Sequence, residues 1–365
     1  MFKVSEQYIN CRCGLHLKEY QKNDPNSGKL GIINSKGKFT SCHKHEHISR
    51  ETYNEVIPQI ISEFVNAGFV NTNAHFEKSL DSMEEYKHLT QMNVHPNEIT
   101  AQKTSKSNKL IRKYMPHIYE VEDHRGNSMI TRWTEANLVK AFKSLDKPNA
   151  TVNSNLSEIK RAIKFNPITI YSPIMSKSII RELDCKTVFD PCIGWGGRML
   201  GTTCLGKDYH YTGCEPFTKT YDGLIKIRDD LGIQQQVELY NKPVEQIIET
   251  IQDKTFDMCL TSPPYYNLEV YSHEDTQSIH SFNTYDSWIT GFIKPIIDYV
   301  CSHVTKYSCW SVKNIKSDGQ YTLLDDVIQL HKEHGWILET QYSIKKNTQK
   351  SKSTDGDVTY VFVKK

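Results

Sequence analysis

Residues 165–365 predict a doubly wound α/β fold built on a mostly parallel sheet, and three observations carry that expectation. Short apolar runs alternate with helical stretches along this whole segment, the pattern of strands joined by crossover helices. One apolar run ends in a glycine-rich turn at Gly194-Trp195-Gly196-Gly197 and another in Pro263-Pro264, residues that allow a tight turn or stop a ladder. The last two runs, 336–344 and 359–363, are placed to pair as a terminal hairpin.

In order, 187–190 is a strand feeding the glycine turn, and a helix opens at 198–205. Strands at 209–215 and 237–241 are separated by a helix at 221–231, and a further helix covers 244–251. A fourth strand, 256–261, runs straight into Ser262-Pro263-Pro264. A helix at 288–304, a strand at 307–312 and a helix at 323–334 precede the hairpin.

The N-terminal part reads differently and predicts an α+β accessory region. Residues 1–50 form a Cys- and His-rich lobe with turns at Asn26-Ser27-Gly28 and Ser35-Lys36-Gly37. Residues 51–160 are mixed and mainly helical. Here Tyr53, Val56, Ile57, Ile60, Ile61, Phe64 and Val65 recur at helical spacing and Gly68 is a natural stop. Lys103, Lys106, Lys109, Arg112 and Lys113 follow one another without an acid. They read as a solvated face or as phosphate contacts. Lys147-Pro148-Asn149 is a linker.

The 365 residues suit one large domain plus an accessory one, and a net charge of +2 leaves no global basic field for a nucleic acid. Any such partner is then held by local patches. No run of about 18 apolar residues occurs, so no membrane span is expected. The N-terminus lacks the apolar stretch of a signal peptide. The ten cysteines are scattered, several within apolar runs, as reduced thiols are. Together these predict a cytoplasmic protein.

Two motifs carry the chemistry. Asp190-Pro191-Cys192-Ile193-Gly194 lies where doubly wound sheets bind ligands, outside the carboxyl end of a strand. It lacks the G-x-G-x-x-G phosphate fingerprint, which argues against an NAD-linked enzyme. Asp190 would repel a pyrophosphate but pair with an ammonium group, as at the amino-acid end of S-adenosylmethionine. Glu215, ending the next strand, is placed to accept from ribose hydroxyls. In the second motif, Ser262-Pro263-Pro264-Tyr265, fixed φ angles hold the loop rigid. An exocyclic base amine is a poor nucleophile because its lone pair is delocalised. The Ser262 hydroxyl and a carbonyl of the diproline segment, accepting its two hydrogens, would localise that pair. Tyr265 would stack on the base, which must first leave its duplex.

At these residues the chain resembles the DNA amino-methyltransferases, which methylate adenine at N(6) or cytosine at N(4). Asp190 to Gly197 is similar to the family's D-P-F-x-G-x-G cofactor loop, and Ser262 to Tyr265 to its [D/N/S]-P-P-[Y/F/W] loop. Tyr171-Ser172-Pro173 resembles the segment that closes over the cofactor's methionine end. The resemblance covers roughly 165–365 and implies a Rossmann-like S-adenosylmethionine-dependent methyltransferase sheet of phage or bacterial type, acting on double-stranded DNA with its target base flipped. It implies cofactor contacts from Ser172, Pro173, Asp190, Gly194, Gly196 and Glu215, with Val244 or Glu245 near the adenine. Ser262, Pro263, Pro264 and Tyr265 would hold the target base. A serine in first position is more typical of cytosine-N(4) enzymes, so cytosine is favoured over adenine. Residues 198–260 leave no room for a recognition domain between the motifs, so DNA recognition would fall to the N-terminal 160 residues, 51–160 above all, or to the loops 266–281 and 345–352. The alternatives are an RNA or protein amine as substrate, or a non-catalytic DNA-binding module on the same fold. A restriction-modification role is among those the resemblance allows.

Cys11, Cys13, Cys42 and His45 form two knuckles of soft and borderline ligands. They suggest a structural zinc, although Cys-x-Cys is tighter than the usual spacing and His47 competes with His45. The alternative is reduced thiols and exposed histidines.

Overall fold

The computed structural model describes residues 1–9, 31–33, 39–41, 49–76, 80–146, 156–163, 168–344 and 358–365. Positions 11, 13, 42 and 45, the suggested zinc ligands, lie outside the described residues. The chain divides into two compact units, Met1–Ser79 with Gly126–Pro167, and Leu80–Arg125 with Ile168–Lys365.

The first unit is built on Arg50–Phe76, two helices that meet at Gly68. The first stops there as expected, at φ 73° and ψ 166°, a conformation open mainly to glycine. Fully buried Phe64 packs with the rings of Phe2, Phe76 and Trp133. The Trp133 indole N–H donates to the Phe64 carbonyl at 3.1 Å.

The second unit holds the expected sheet, mostly parallel, doubly wound and Rossmann-like. Its strands are β1 (Thr187–Asp190), β2 (His210–Cys214), β3 (Val237–Tyr240), β4 (Phe256–Thr261), β5 (Val304–Ser311), β6 (Trp336–Ser343) and β7 (Val358–Lys364). They are ordered β6-β7-β5-β4-β1-β2-β3. All neighbours are parallel except around β7, which lies antiparallel to both β5 and β6 as the C-terminal hairpin. Strand order reverses between β1 and β4, and a crevice opens at such a point.

Both faces of the sheet are covered, which explains the near-continuous apolar runs. Val188, Met258 and Leu260 join one apolar cluster and the alternate residues Phe189 and Cys259 the other, as the two-residue strand period requires. Helices α1 (Pro173–Glu182), α2 (Gly197–Thr203) and α3 (Thr218–Asp230) contribute to the first cluster. Helices α4 (Lys294–His303) and α5 (Leu323–Glu333) contribute to the second.

Three elements differ from expectation. The helix expected at 244–251 is two short 3₁₀ turns, Val244–Gln246 and Ile248–Ile251, although Val244, Ile247 and Ile251 still bury on one side. The helix expected from 288 starts earlier, at Tyr285, and is interrupted by a widened π turn, Ile289–Ile293, before it continues as α-helix from Lys294. Pro295, with no N–H to donate, sits at that junction. Residues 80–125 belong with the sheet and not with the helical accessory region in which the sequence placed them. Ile111 and Met115 of this segment are fully buried in the first cluster. Lys177 of α1, itself buried, donates to the carbonyls of Leu89, Thr90 and Met92 at 2.8, 2.7 and 2.8 Å. A cation there satisfies the orphan carbonyls that end helix Ser82–Gln91. No helix among the described residues is long and apolar enough to cross a membrane.

Candidate active site

An open cleft of about 1070 Å³, counting the solvent at its mouth, lies at the carboxyl ends of β1, β2 and β4. One side is formed by the glycine turn, Glu215 to Phe217, Val244 and Glu245. The other is formed by Ser262 to Tyr265, Glu269, Tyr271 and Gln277. The two sequence motifs therefore share one cavity.

The glycine turn is shaped by backbone need and by close packing. Gly194 and Gly196 have φ of 57° and 83°. A Cβ on Gly197 would lie 1.8 Å from the Tyr171 carbonyl oxygen, so only glycine lets α2 begin here. Gly194 lines the cleft and Gly196 does not; a Cβ on Gly196 would instead meet the Leu224 side chain at 2.6 Å.

Asp190 is a correction to the sequence reading. It is fully buried and does not line the cleft. Its Oδ2 accepts from Arg198 Nε at 2.6 Å and the Tyr211 hydroxyl at 2.5 Å. Its Oδ1 accepts from Thr261 Oγ1 at 3.0 Å, Cys192 N at 3.2 Å and Arg198 Nη2 at 3.3 Å. With its lone pairs taken, the carboxylate is a strut under the cleft, unsuited to an ammonium ligand. Arg198, which the sequence reading passed over, carries the network on to the carbonyls of Cys192 and Ile193 and so holds the turn's shape. A buried acid ending a strand calls for a cation nearby, and Arg198 was the signal available.

Ser172 and Pro173 are likewise displaced from their expected place. Ser172 is buried as the N-cap residue of α1, with its Oγ 3.1 Å from that of Ser107, and Pro173 takes the first helical turn. Their neighbours Thr169 and Tyr171 line the cleft instead.

Glu215 sits where the sequence placed it, buried and facing the cleft. Its carboxylate accepts from the backbone N–H of Gly194 and of Phe217, each at 2.9 Å. Burial pushes its pKa up to about 8, against the lowering effect of those two bonds. Glu245 also lines the cleft, and its Oε2 is buried without a hydrogen-bond partner among the described residues. Behind the turn, the His117 ring packs on Trp195 and Phe217 and meets Thr220 Oγ1 at 2.9 Å. Burial pushes the His117 pKa down to about 4, which keeps it neutral.

The diproline loop leaves β4 directly, and the Thr261–Asp190 bond ties its root to the glycine turn. The Tyr265 hydroxyl donates to the Ser311 carbonyl at 3.3 Å, and Lys313 Nζ lies 5.5 Å from the ring centre. Tyr266 follows with φ 48°, a strained value for a bulky residue. It is clamped among the rings of Tyr285, Trp288 and Tyr321, with centres 5.1–5.7 Å away. Ser262 lines the cleft half-buried. Cys192, also in the lining, has its thiol pushed well above the ordinary range by burial and then by Asp190. Among the described residues no group of three His, Cys, Asp or Glu side chains is arranged to hold a metal.

No protein-family model matches the chain, and no curated protein matches it in sequence. Among solved structures it is similar to TrmN from Thermus thermophilus, at 11% identity over 55% of this chain and 50% of that one, with a TM-score of 0.37. The match thus spans half the length of the Thermus protein. It is also similar to magnesium protoporphyrin IX methyltransferase (ChlM) from Synechocystis with bound SAM, at 9% identity over 53% and 79% of the two chains and a TM-score of 0.36. An SAM-dependent O-methyltransferase from Thermotoga maritima aligns at 13% identity over 58% and 72%, with a TM-score of 0.35. At these TM-scores the likeness says nothing about chemistry.

Proposed function

We propose that the chain is an S-adenosylmethionine-dependent methyltransferase that acts on the exocyclic amine of a flipped base in double-stranded DNA, cytosine N(4) ahead of adenine N(6). The observation that carries the reading is the shared cleft. A rigid Ser-Pro-Pro-Tyr loop and a nucleoside-type acid, Glu215, face one cavity whose two sides are tied by the Thr261–Asp190 bond.

The donor and acceptor set fits the cofactor. Glu215 has lone pairs beyond its two backbone bonds for ribose hydroxyls. The orphaned Glu245 oxygen offers an acceptor for a purine amine beside apolar Val244. When bound, S-adenosylmethionine supplies a methyl group on an electrophilic sulfonium.

On the opposite side, Ser262 Oγ and a diproline carbonyl accept the two hydrogens of the base amine and hold its lone pair toward the methyl group. Tyr265, held at its hydroxyl by Ser311 and on its face by Lys313, offers the base a fixed stacking plane. Transfer would form a nitrogen–carbon bond as the cofactor's sulfur–carbon bond breaks, and the proton shed by the amine would pass to water in the open cleft. No protein nucleophile is needed, and the raised thiol of Cys192 is a poor one.

The test incubates the protein with methyl-labelled cofactor and duplex DNA, then resolves the digested nucleosides. Label in N(4)-methylcytidine or N(6)-methyladenosine, as deoxynucleosides, is the expected result. Cofactor binding without any label in DNA would reject the reading.

A further inference from the structure

The side of the cleft that carries the diproline loop is completed by residues 272–282, and this segment is pinned across to the glycine-turn side. The Glu274 carboxylate accepts from Thr218 N at 3.1 Å and Thr218 Oγ1 at 3.2 Å, and Thr276 Oγ1 donates to the Pro216 carbonyl at 3.4 Å. Trp288 Nε1 donates to Ser278 Oγ at 3.0 Å. Gln277 stands between these anchors. Its N–H donates to the Glu274 carbonyl at 3.1 Å and its own carbonyl accepts from His280 N at 2.9 Å.

The Gln277 side chain has no such engagement. The residue is only 8% exposed and lines the cleft, and among the described residues no hydrogen bond engages its carboxamide, which opens on the cleft. With the backbone pinned, this amide is held with its bonding capacity free for a ligand in the cleft. The carboxamide NH₂ is a planar donor. The ring nitrogen beside the amino group, an acceptor shared by cytosine and adenine, is its complement, whereas the keto bases carry an N–H at that place.

We infer that Gln277 is a specificity residue for the target base, its NH₂ group donating to the ring nitrogen adjacent to the amine that Ser262 and the diproline carbonyl hold. This rests on the proposed function and adds the residue that tells an amino base from a keto base.

The test compares full-length wild type with Gln277→Met, which keeps the volume, and Gln277→Glu, which loses the amide donors. Cofactor affinity is read by calorimetry and methyl transfer on a random-sequence duplex pool. Both variants should lose about 10- to 100-fold in kcat/KM for DNA, the worth of one good base contact, with cofactor affinity within about twofold of wild type. Unchanged kcat/KM in Gln277→Met, with wild type active, would overturn this inference alone. A parallel fall in cofactor affinity would assign Gln277 to the cofactor side and overturn it too. A wild type that binds cofactor but labels no DNA would sink the proposed function and this inference together.

Discussion

The two sides of the cleft are held in shape by different physics. On the glycine-turn side, Asp190, Arg198, Tyr211 and Thr261 form a buried ionic and hydrogen-bonded network with every lone pair of the acid in use. On the diproline side, shape comes from proline stiffness and from aromatic rings that clamp a strained Tyr266. The first device puts charge beneath the surface and offers a ligand the backbone-braced Glu215. The second leaves Ser262 and Gln277 as polar groups with their bonding capacity directed at the cleft. A network of charges fails when one member is lost, whereas a clamped loop tolerates loss of a single bond.

That contrast predicts a graded set of effects. Asp190→Ala leaves the Arg198 guanidinium buried and unpaired, and should cost about 3–5 kcal/mol of stability, measured by urea unfolding, with cofactor binding failing as the turn loosens. Stability within error of wild type would show that the network is not what shapes this side.

Glu215 gives the next effect. Its carboxyl, raised to about 8 by burial, is protonated at neutral pH, whereas two ribose hydroxyls call for the ionised form. Binding must therefore expel a proton below that pKa. Cofactor affinity should rise about tenfold per pH unit up to about pH 8 and level off above it, by calorimetry at successive pH values. Glu215→Gln should bind weakly with no such slope; a wild-type affinity that falls as pH rises would contradict the assignment.

The smallest effect belongs to the clamped side. Tyr265→Phe removes one hydrogen bond to the Ser311 carbonyl and keeps the ring. Turnover should fall only about two- to fivefold, since a typical bond nets about 1 kcal/mol. A hundredfold loss in steady-state rate would mean that the hydroxyl itself takes part in the chemistry.

The sequence showed what is local. Strand period, the glycine turn, the diproline stop and the acid at Glu215 all lie within a few residues of the feature they create. What depends on distant partners was not legible. Asp190 reads as a ligand until Arg198, Tyr211 and Thr261 are seen to converge on it from three elements. Ser172 reads as a contact until its hydroxyl is found buried against that of Ser107 at the start of α1. Residues 80–125 read as accessory helices because nothing near them announces that Lys177 will take their carbonyls. Gln277 has no motif at all; only its place in the cleft wall, with its carboxamide unengaged, marks it.

The central claim is that Ser262 holds a base amine across the cleft from the cofactor. Single-turnover methyl transfer to DNA by Ser262→Ala, with cofactor affinity measured on the same protein, tests it most directly. The expected result is a rate lower by about 10²-fold or more, as for loss of one preorganised polar contact at a reacting group, with cofactor affinity unchanged. A variant that transfers methyl groups at the wild-type rate would contradict the account.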